Sequence, residues 1–253
     1  MKIAIIGSGG REHALAIQIA KSKRVKKIYC IPGNAGTQLI SENIEIDINN
    51  FEEIYTFVKS NNVELVIIGP EQPLVGGIVD YLNERNVIVF GPNSNVAQLE
   101  GSKIFTKKIC QKHNIPTANF GIFKNEFDTL DYLEKVKFPI VIKADGLASG
   151  KGVYICKNFK DSKIATKEIF EGKFGKAEQI LVEEFLEGDE MSYFIISDGN
   201  TYKFFNTAQD HKRVGEGDTG SNTGGMGAYS PSGLINKELE NKIINKIINP
   251  TLL

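Results

Sequence analysis

In the stretch IVIKADGLASGKGVYI, Lys143 closes an apolar run, and Gly146, Gly150, Lys151 and Gly152 follow before a second run begins. Glycines let backbone amides approach phosphate oxygens and lysines supply compensating charge, so the segment suits a flap over a nucleoside polyphosphate; a plain hairpin loop is the alternative. A Walker A loop does not fit: Gly152 follows Lys151 where Ser or Thr belongs, and β-forming residues follow where a helix belongs. Near the start, Gly7-Ser8-Gly9-Gly10-Arg11-Glu12-His13 joins an apolar run to a helical pattern, a place where free N–H groups and the helix dipole favour an anion. A dinucleotide fingerprint fails there on two counts. Glu12 stands where GxGxxG ends in glycine, and the second apolar run closes on Ile31-Pro32-Gly33 without an acidic residue for a ribose. A phosphate-bearing substrate at Gly9, Gly10 and Arg11 remains, beside a purely structural turn.

Two further segments bear polar chemistry. Leu181-Val182-Glu183-Glu184-Phe185-Leu186-Glu187-Gly188-Asp189-Glu190 runs from an apolar strand into an acidic hinge. Alone it reads as a solvated turn; after a phosphate flap, Glu183, Phe185 and Leu186 can offer backbone groups and an apolar wall to adenine, with Glu190 accepting from ribose hydroxyls. QDHKRVGEGDTGSNTGGMGAYSP mixes Asp210, His211, Lys212, Arg213 and Asp218 with Met226 and Tyr229. A flexible linker rarely has that mixture, so a functional loop is expected, although His211 alone fits a packed polar residue equally well.

These residues need a scaffold. From residue 2 to about 92, strands at Lys2–Ile6, Lys27–Ile31, Val63–Ile68 and Val87–Phe90 alternate with helical patterns at Glu12–Ser22, Phe51–Ser60 and Leu74–Arg85. Such alternation predicts an α/β fold with a Rossmann-like parallel sheet. Its ligand end would gather the first loop, Gly33-Asn34-Ala35-Gly36 and Gly69-Pro70-Glu71 into one crevice. A helix from Ser94 to about His113 stops before Pro116, and a boundary falls near residue 100. Strands at Ile140–Lys143, Val153–Cys156 and Gln179–Phe185, with an amphipathic stretch at Asp161–Phe170, make a small α+β unit. Met191–Ser197 and Thr201–Asn206 bracket an Asp198-Gly199-Asn200 turn, a long glycine-rich loop follows, and a helix spans about Asn236–Ile248.

Composition narrows the class. Hydrophobic residues at 41% and charged residues at 24% suit a folded globular protein, and 30 Lys+Arg against 31 Asp+Glu leave no global field to hold nucleic acid or an anionic membrane. Cys30, Cys110 and Cys156 are odd in number and lack CxxC spacing, which argues against a disulfide framework or a zinc site. No signal-peptide core and no run of about 20 apolar residues occurs, so the expected location is cytoplasmic.

Taken together, GSGGREHALA, PGNAG, VIIGPEQPLVGGIVD, FGPNSNVAQLEGSK, VIKADGLASGKGV, VEEFLEGDEMS and QDHKRVGEGDTGSNTGGMGAYSP resemble the phosphoribosylamine-glycine ligase family, over almost the whole chain. The resemblance implies a Rossmann-like substrate domain at 1–100 and an ATP-grasp domain at 101–253 with an α+β lid at about 118–188. It implies ligation of glycine to 5-phosphoribosylamine in purine biosynthesis, giving glycinamide ribonucleotide, ADP and phosphate through a glycyl phosphate. ATP would be held by Lys103, Lys143, Gly146, Gly150, Lys151, Gly152, Glu183, Phe185, Leu186 and Glu190. Substrates would be held by Gly9, Gly10, Arg11, Asn34, Gly69, Pro70, Glu71, Asp218, Asn222, Gly224, Gly225 and Met226, with Asp210, Lys212 and Arg213 catalytic. The partners are those small molecules, with no nucleic acid and no membrane, and the full-length family is expected to be monomeric.

Two departures from the family pattern matter. Ser221 stands where the family has proline, which implies a looser loop by about 0.4 to 1 kcal/mol of ordering. The family's ligands for Mg2+ or Mn2+ would lie beyond Leu253, so no metal ligand is assigned and the ATP-grasp domain is expected to be incomplete and inactive in ligation by itself. A non-catalytic ATP-binding remnant, another ATP-grasp ligase and a dinucleotide-binding protein are the alternatives. Apolar edge surface is also expected from Met191 to Phe205.

Overall fold

The computed structural model describes residues 1–147, 152–175, 177–217 and 219–252, and for Ser221 and Asn222 the backbone only. Two compact units divide the chain, Met1–Ser102 and Lys103–Leu253.

In the first unit the apolar runs become the central strands of a sheet, buried on both sides, with two short strands at its edges. These are β1 (Lys2–Gly7), β2 (Lys27–Pro32), β3 (Glu42–Asn43), β4 (Leu65–Ile68) and β5 (Val89–Phe90), all parallel in the order β3-β2-β1-β4-β5. Alternate residues of β1 serve opposite faces. Ala4 and Ile6 pack with Ile54, Val58 and Leu82, whereas Ile3 and Ile5 pack with Ala16, Ile28 and Cys30. Helices cover both faces, which explains why the central strands β1, β2 and β4 are largely apolar. They are α1 (Gly10–Ala20), α2 (Phe51–Ser60), α3 (Glu71–Val75), α4 (Ile78–Asn83) and α5 (Ser94–Gly101).

The second unit starts with α6 (Lys103–Lys112). A four-stranded antiparallel sheet follows, from β6 (Phe120–Phe123), β7 (Ile140–Ala144), β8 (Val153–Cys156) and β9 (Ile180–Glu184), in the order β6-β9-β7-β8. Its register separates two faces. Ile140, Ile142, Ala144, Ile180 and Val182 pack with Leu133 of α7 (Glu126–Leu133) and Ala165 and Ile169 of α8 (Phe159–Phe170). The opposite face carries Phe120 and Glu183 as partners, Val141 beside Glu183, and Lys143 between Leu181 and Val153. Beyond the sheet lie β10 (Ser192–Ser197), β11 (Tyr202–Asp210), β12 (Arg213–Gly215), β13 (Thr219–Asn222) and β14 (Ala228–Tyr229). The chain continues through α9 (Lys237–Ile243), a π-helical turn at Ile244–Ile248 and α10 (Asn249–Leu252).

Four local expectations require correction. The single helix read at Leu74–Arg85 is two, because Gly77 takes φ +90°, a left-handed conformation that ends α3 and starts α4. The stretch read as one helix from Ser94 is broken at Ser102, whose backbone is extended. The glycine-rich segment is no plain loop: β12 and β13 form a hairpin, and β14 pairs with β11. The helix read from Asn236 begins one residue later, because the Asn236 side chain caps it by accepting from the Leu239 N–H, and Ile244–Ile248 is π-helical. Strand β6 and helix α7 have no counterpart in the sequence reading. Among the described residues no helix is long and apolar enough to cross a membrane.

Candidate functional sites

The first unit holds a cleft of about 390 Å3 at the carboxyl end of its sheet, lined by Gly7, Ser8, Gly9, Arg11, Glu12, Pro32, Ile46, Asp47, Ile48 and Pro70. Ligands of open parallel sheets bind at such ends. Glu12 gives the cleft its shape. Its buried carboxylate accepts from the Gly9 N–H at 2.6 Å and so closes the start of α1. Two loops converge on it, the one after β1 and the one after β4. A Cβ on Gly69 would lie 2.0 Å from Glu12 Oε1, and one on Gly7 or Gly9 would lie within 2.9 Å of its side chain. The residue that spoils a dinucleotide fingerprint is therefore an internal brace.

Arg11, exposed at the cleft, is held on one side: Nη1 donates to the Gly69 carbonyl at 2.6 Å and Nη2 to Glu71 Oε1 at 2.9 Å. Glu71 titrates below the usual carboxylate range because its own backbone N–H, and then the Arg11 guanidinium, favour the ionised form. Asn34 does not line the cleft but braces it. Its Nδ2 donates to the Ser8 carbonyl at 2.8 Å, while its Oδ1 accepts from the N–H groups of Gly36 and Thr37. A Cβ on Gly10 would meet nothing within 4 Å, so that stretch of backbone is open to a ligand.

In the second unit, the sheet face opposite the helices is apolar with a line of charge across it. Glu183, which the resemblance puts in a hinge, lies inside β9 and is buried. Its Oε2 accepts from Lys143 Nζ at 2.7 Å, and its Oε1 lies 3.2 Å from Lys107 Nζ. Lys143 reaches from β7 across to β9, while its register partner on the other side is half-exposed Val153 of β8. Lys103, at the start of α6, donates to the Gly146 carbonyl at 2.8 Å, and the Ile104 N–H donates to Asp145 Oδ1, which ties the foot of the glycine-rich flap to α6. Gly150 and Lys151 lie outside the described residues, and Gly152 marks the return to β8, accepting from the Ala144 N–H at 2.8 Å. Apolar surface beside paired lysines fits an aromatic base and its phosphates. Lys107 was not singled out by sequence; its signal was its position four residues after Lys103, on the same face of one helix.

After β9 the chain turns outward. Phe185 is half-buried and Leu186 exposed. Glu184 is held by the backbone N–H and then the side chain of Asn119, which keep its carboxyl below the usual range. Glu190, read as a ribose ligand, is in contact with Lys212 Nζ. Asp210 ends β11 with a carboxylate oxygen 3.1 Å from where a Cβ on Gly225 would stand. The His211 N–H donates to the Gly227 carbonyl, the Met226 N–H to the His211 carbonyl, and the Thr223 N–H to that of Lys212. The structure thus brings Asp210, Lys212, Gly225, Met226 and Glu190 together. His211 packs against Tyr229, with ring centroids 5.6 Å apart. Arg213 starts β12 with Asn222 opposite, Gly224 is exposed in the turn that follows β13, and Asp218 lies outside the described residues. Phe194, Ile196, Phe204 and Phe205 of β10 and β11 are exposed, in the segment read as an apolar edge.

Among the described residues no group of three or more His, Cys, Asp or Glu could hold a metal ion.

Comparisons with known proteins bear on both units. The family model for the phosphoribosylglycinamide synthetase N domain matches residues 1–100, and that for the ATP-grasp (A) domain of the same synthetase matches 101–253. The phosphoribosylamine–glycine ligase of Mesorhizobium japonicum is 47% identical over 253 residues, all of this chain and 60% of that protein. Among solved structures, the phosphoribosylamine–glycine ligase of Thermotoga maritima superposes with a TM-score of 0.84 at 33% identity, covering 100% of this chain and 60% of that one. The biotin carboxylase domain of the Hydrogenobacter thermophilus 2-oxoglutarate carboxylase, solved with MgADP, ADP and bicarbonate, gives 0.73 at 18% over 99% and 57%, a likeness of fold. The chain spans about 60% of the length of the curated relatives it matches.

Proposed function

Given that the chain belongs to the phosphoribosylglycinamide synthetase family, we propose that its protein joins glycine to 5-phosphoribosylamine at the expense of ATP, in purine biosynthesis. The observation that carries this is the unbroken succession of the family's N and ATP-grasp domain matches, 1–100 and 101–253. Those spans are proposed as the substrate domain and the ATP-grasp domain, with a lid at about 118–188.

A carboxylate is a poor electrophile, so one oxygen of glycine first attacks the terminal phosphorus of ATP, and the bond from that phosphorus to ADP breaks. The amine of phosphoribosylamine then attacks the acyl carbon, a C–N bond forms, phosphate leaves with the C–O electron pair, and the amine loses a proton. Cations must offset charge on the phosphoryl group in flight. We assign that work to Lys143, Lys151 and Arg213. Lys103 and the flap from Gly146 to Gly152 hold phosphates and exclude the water that would hydrolyse the acyl phosphate. Phe185, Leu186 and the β9 face take adenine, and Glu190 takes the ribose. The first unit's cleft, with Gly9, Gly10, Arg11, Asn34, Gly69, Pro70 and Glu71, takes the phosphoribosyl part. Asp210, Lys212, Asp218, Asn222, Gly224, Gly225 and Met226 hold glycine and the reacting amine. Mg2+ or Mn2+ accompanies ATP in this reading; the described residues include no cluster fit to hold it, and no step is assigned to it. Release of ADP that requires both glycine and phosphoribosylamine is the expected result. Release with another amino acid and none with glycine would refute the substrate assignment.

A further inference from the structure

The reading of the β9 face as a nucleotide site leaves Lys107 without a task, and its surroundings supply one. It is the buried member of a three-residue line of charge. Its ammonium has three donors and three partners: it donates to Thr117 Oγ1 at 2.6 Å and to the Ala118 carbonyl at 3.2 Å, and forms an ion pair with Glu183 Oε1 at 3.2 Å. The ring of Phe120 lies 5.4 Å away. Lys107 is therefore saturated inside the protein, with 9% of its side chain exposed. Lys143 is different. It gives one donor to Glu183, has no other partner among the described residues, and is 26% exposed.

The line holds two ammonium groups and one carboxylate; the Glu184 carboxylate also feels Lys107, but it is solvent-exposed and bonded to Asn119, so water screens it, and the line keeps a surplus positive charge that the spare donors place at Lys143. Were Lys107 absent, Glu183 would neutralise Lys143 alone. We propose that Lys107 is a positioning residue for the nucleotide site: by holding Glu183 Oε1 it keeps the carboxylate from cancelling Lys143, which stays cationic in effect towards the phosphates. This rests on the nucleotide reading above and extends it to a residue that touches no ligand.

Charge arithmetic makes the test discriminating. The line sums to +1 in wild type, to zero in Lys107→Met, to +1 again in Lys107→Met/Glu183→Gln and to +2 in Glu183→Gln. Calorimetric titration with ATP should show Lys107→Met weakened about tenfold, the scale of one charge-assisted contact. Because Glu183 offers adenine its backbone, which glutamine keeps, the double variant should return to within about threefold of wild type, and Glu183→Gln should bind at least as tightly as wild type. Adenosine, which has no phosphate, should bind Lys107→Met and wild type alike. Wild-type ATP affinity in Lys107→Met, no recovery in the double variant, or equal losses for adenosine and ATP would overturn the proposal. If Lys107→Met does not fold, Glu183→Gln decides, and weaker ATP binding by that variant overturns the proposal. A wild-type protein that binds no ATP removes the nucleotide reading itself, a result distinct from binding that Lys107→Met leaves untouched.

Discussion

The cleft of the first unit and the β9 face of the second both combine carboxylates with cations, but they balance them differently. In the cleft, the buried Glu12 is enclosed by glycines of two loops and Arg11 donates to Gly69 and Glu71, so the charged groups are committed to shaping the walls. On the β9 face two lysines share one carboxylate, and the more exposed of them keeps spare donors. Substitutions in the cleft should therefore register first as loss of stability, and substitutions on the β9 face as loss of affinity.

The largest effect is expected at Gly69. A methyl group there would stand 2.0 Å from Glu12 Oε1 and within 2.7 Å of its Cδ and Cγ, so the whole buried side chain would have to shift. Gly69→Ala should lower unfolding stability by roughly 3 kcal/mol, the upper range for overpacking. Chemical denaturation checks this, and a midpoint unchanged from wild type would mean that the glycine cage is slack. Next comes Lys143→Ala, which should weaken ATP binding by about 2 kcal/mol while unfolding stability moves by less than about 1 kcal/mol, because the side chain is partly exposed. The reverse pattern, stability lost and affinity kept, would dissolve the contrast between the two regions.

The smallest effect is a pH dependence at Glu71. Its folded-state pKa lies below the ordinary 4.5. The ionised form is thus favoured by folding, and the stabilisation is complete above that ordinary value and lost as pH falls through the lowered one. Because the carboxylate is 41% exposed, solvent screening limits the contribution to a few tenths of a kcal/mol. Glu71→Gln should flatten this part of the acid limb of the stability curve; an unaltered limb would show that folding does not favour the ionised form of Glu71.

The parallel sheet was legible because its central strands are buried on both faces and so read as apolar runs, whereas the polar edge strand β3 has no such signal. Helix breaks were legible only in hindsight. Gly76-Gly77 sits inside a helical pattern, and the pattern outweighed the punctuation until the backbone showed φ +90° at Gly77. Helix α7 was missed although Asn125 caps it by accepting from the Asp128 N–H, a residue type and spacing that announce a helix start. At the sites, motif spacing singled out Lys143 and Glu183 separately. That they touch, and that Lys107 joins them, follows from the strand order β6-β9-β7-β8 and from α6 reaching Thr117 and Ala118, neither of which is written in a local pattern. Glu12 stands out in the sequence as a departure from a fingerprint, but its meaning requires two loops distant in sequence to meet.

That meeting has a consequence for how this segment can change over generations. Gly7, Gly9, Gly69 and Glu12 form one interlocked set, since the glycines leave room for the carboxylate and the carboxylate closes the helix start. Alanine at Gly69 is harmful while residue 12 is glutamate and becomes tolerable once residue 12 has shrunk. The reverse order of the same two steps passes through the worse intermediate. Mutational paths away from this loop are therefore ordered, and a lineage that keeps Glu12 retains Gly69 for reasons unrelated to any ligand.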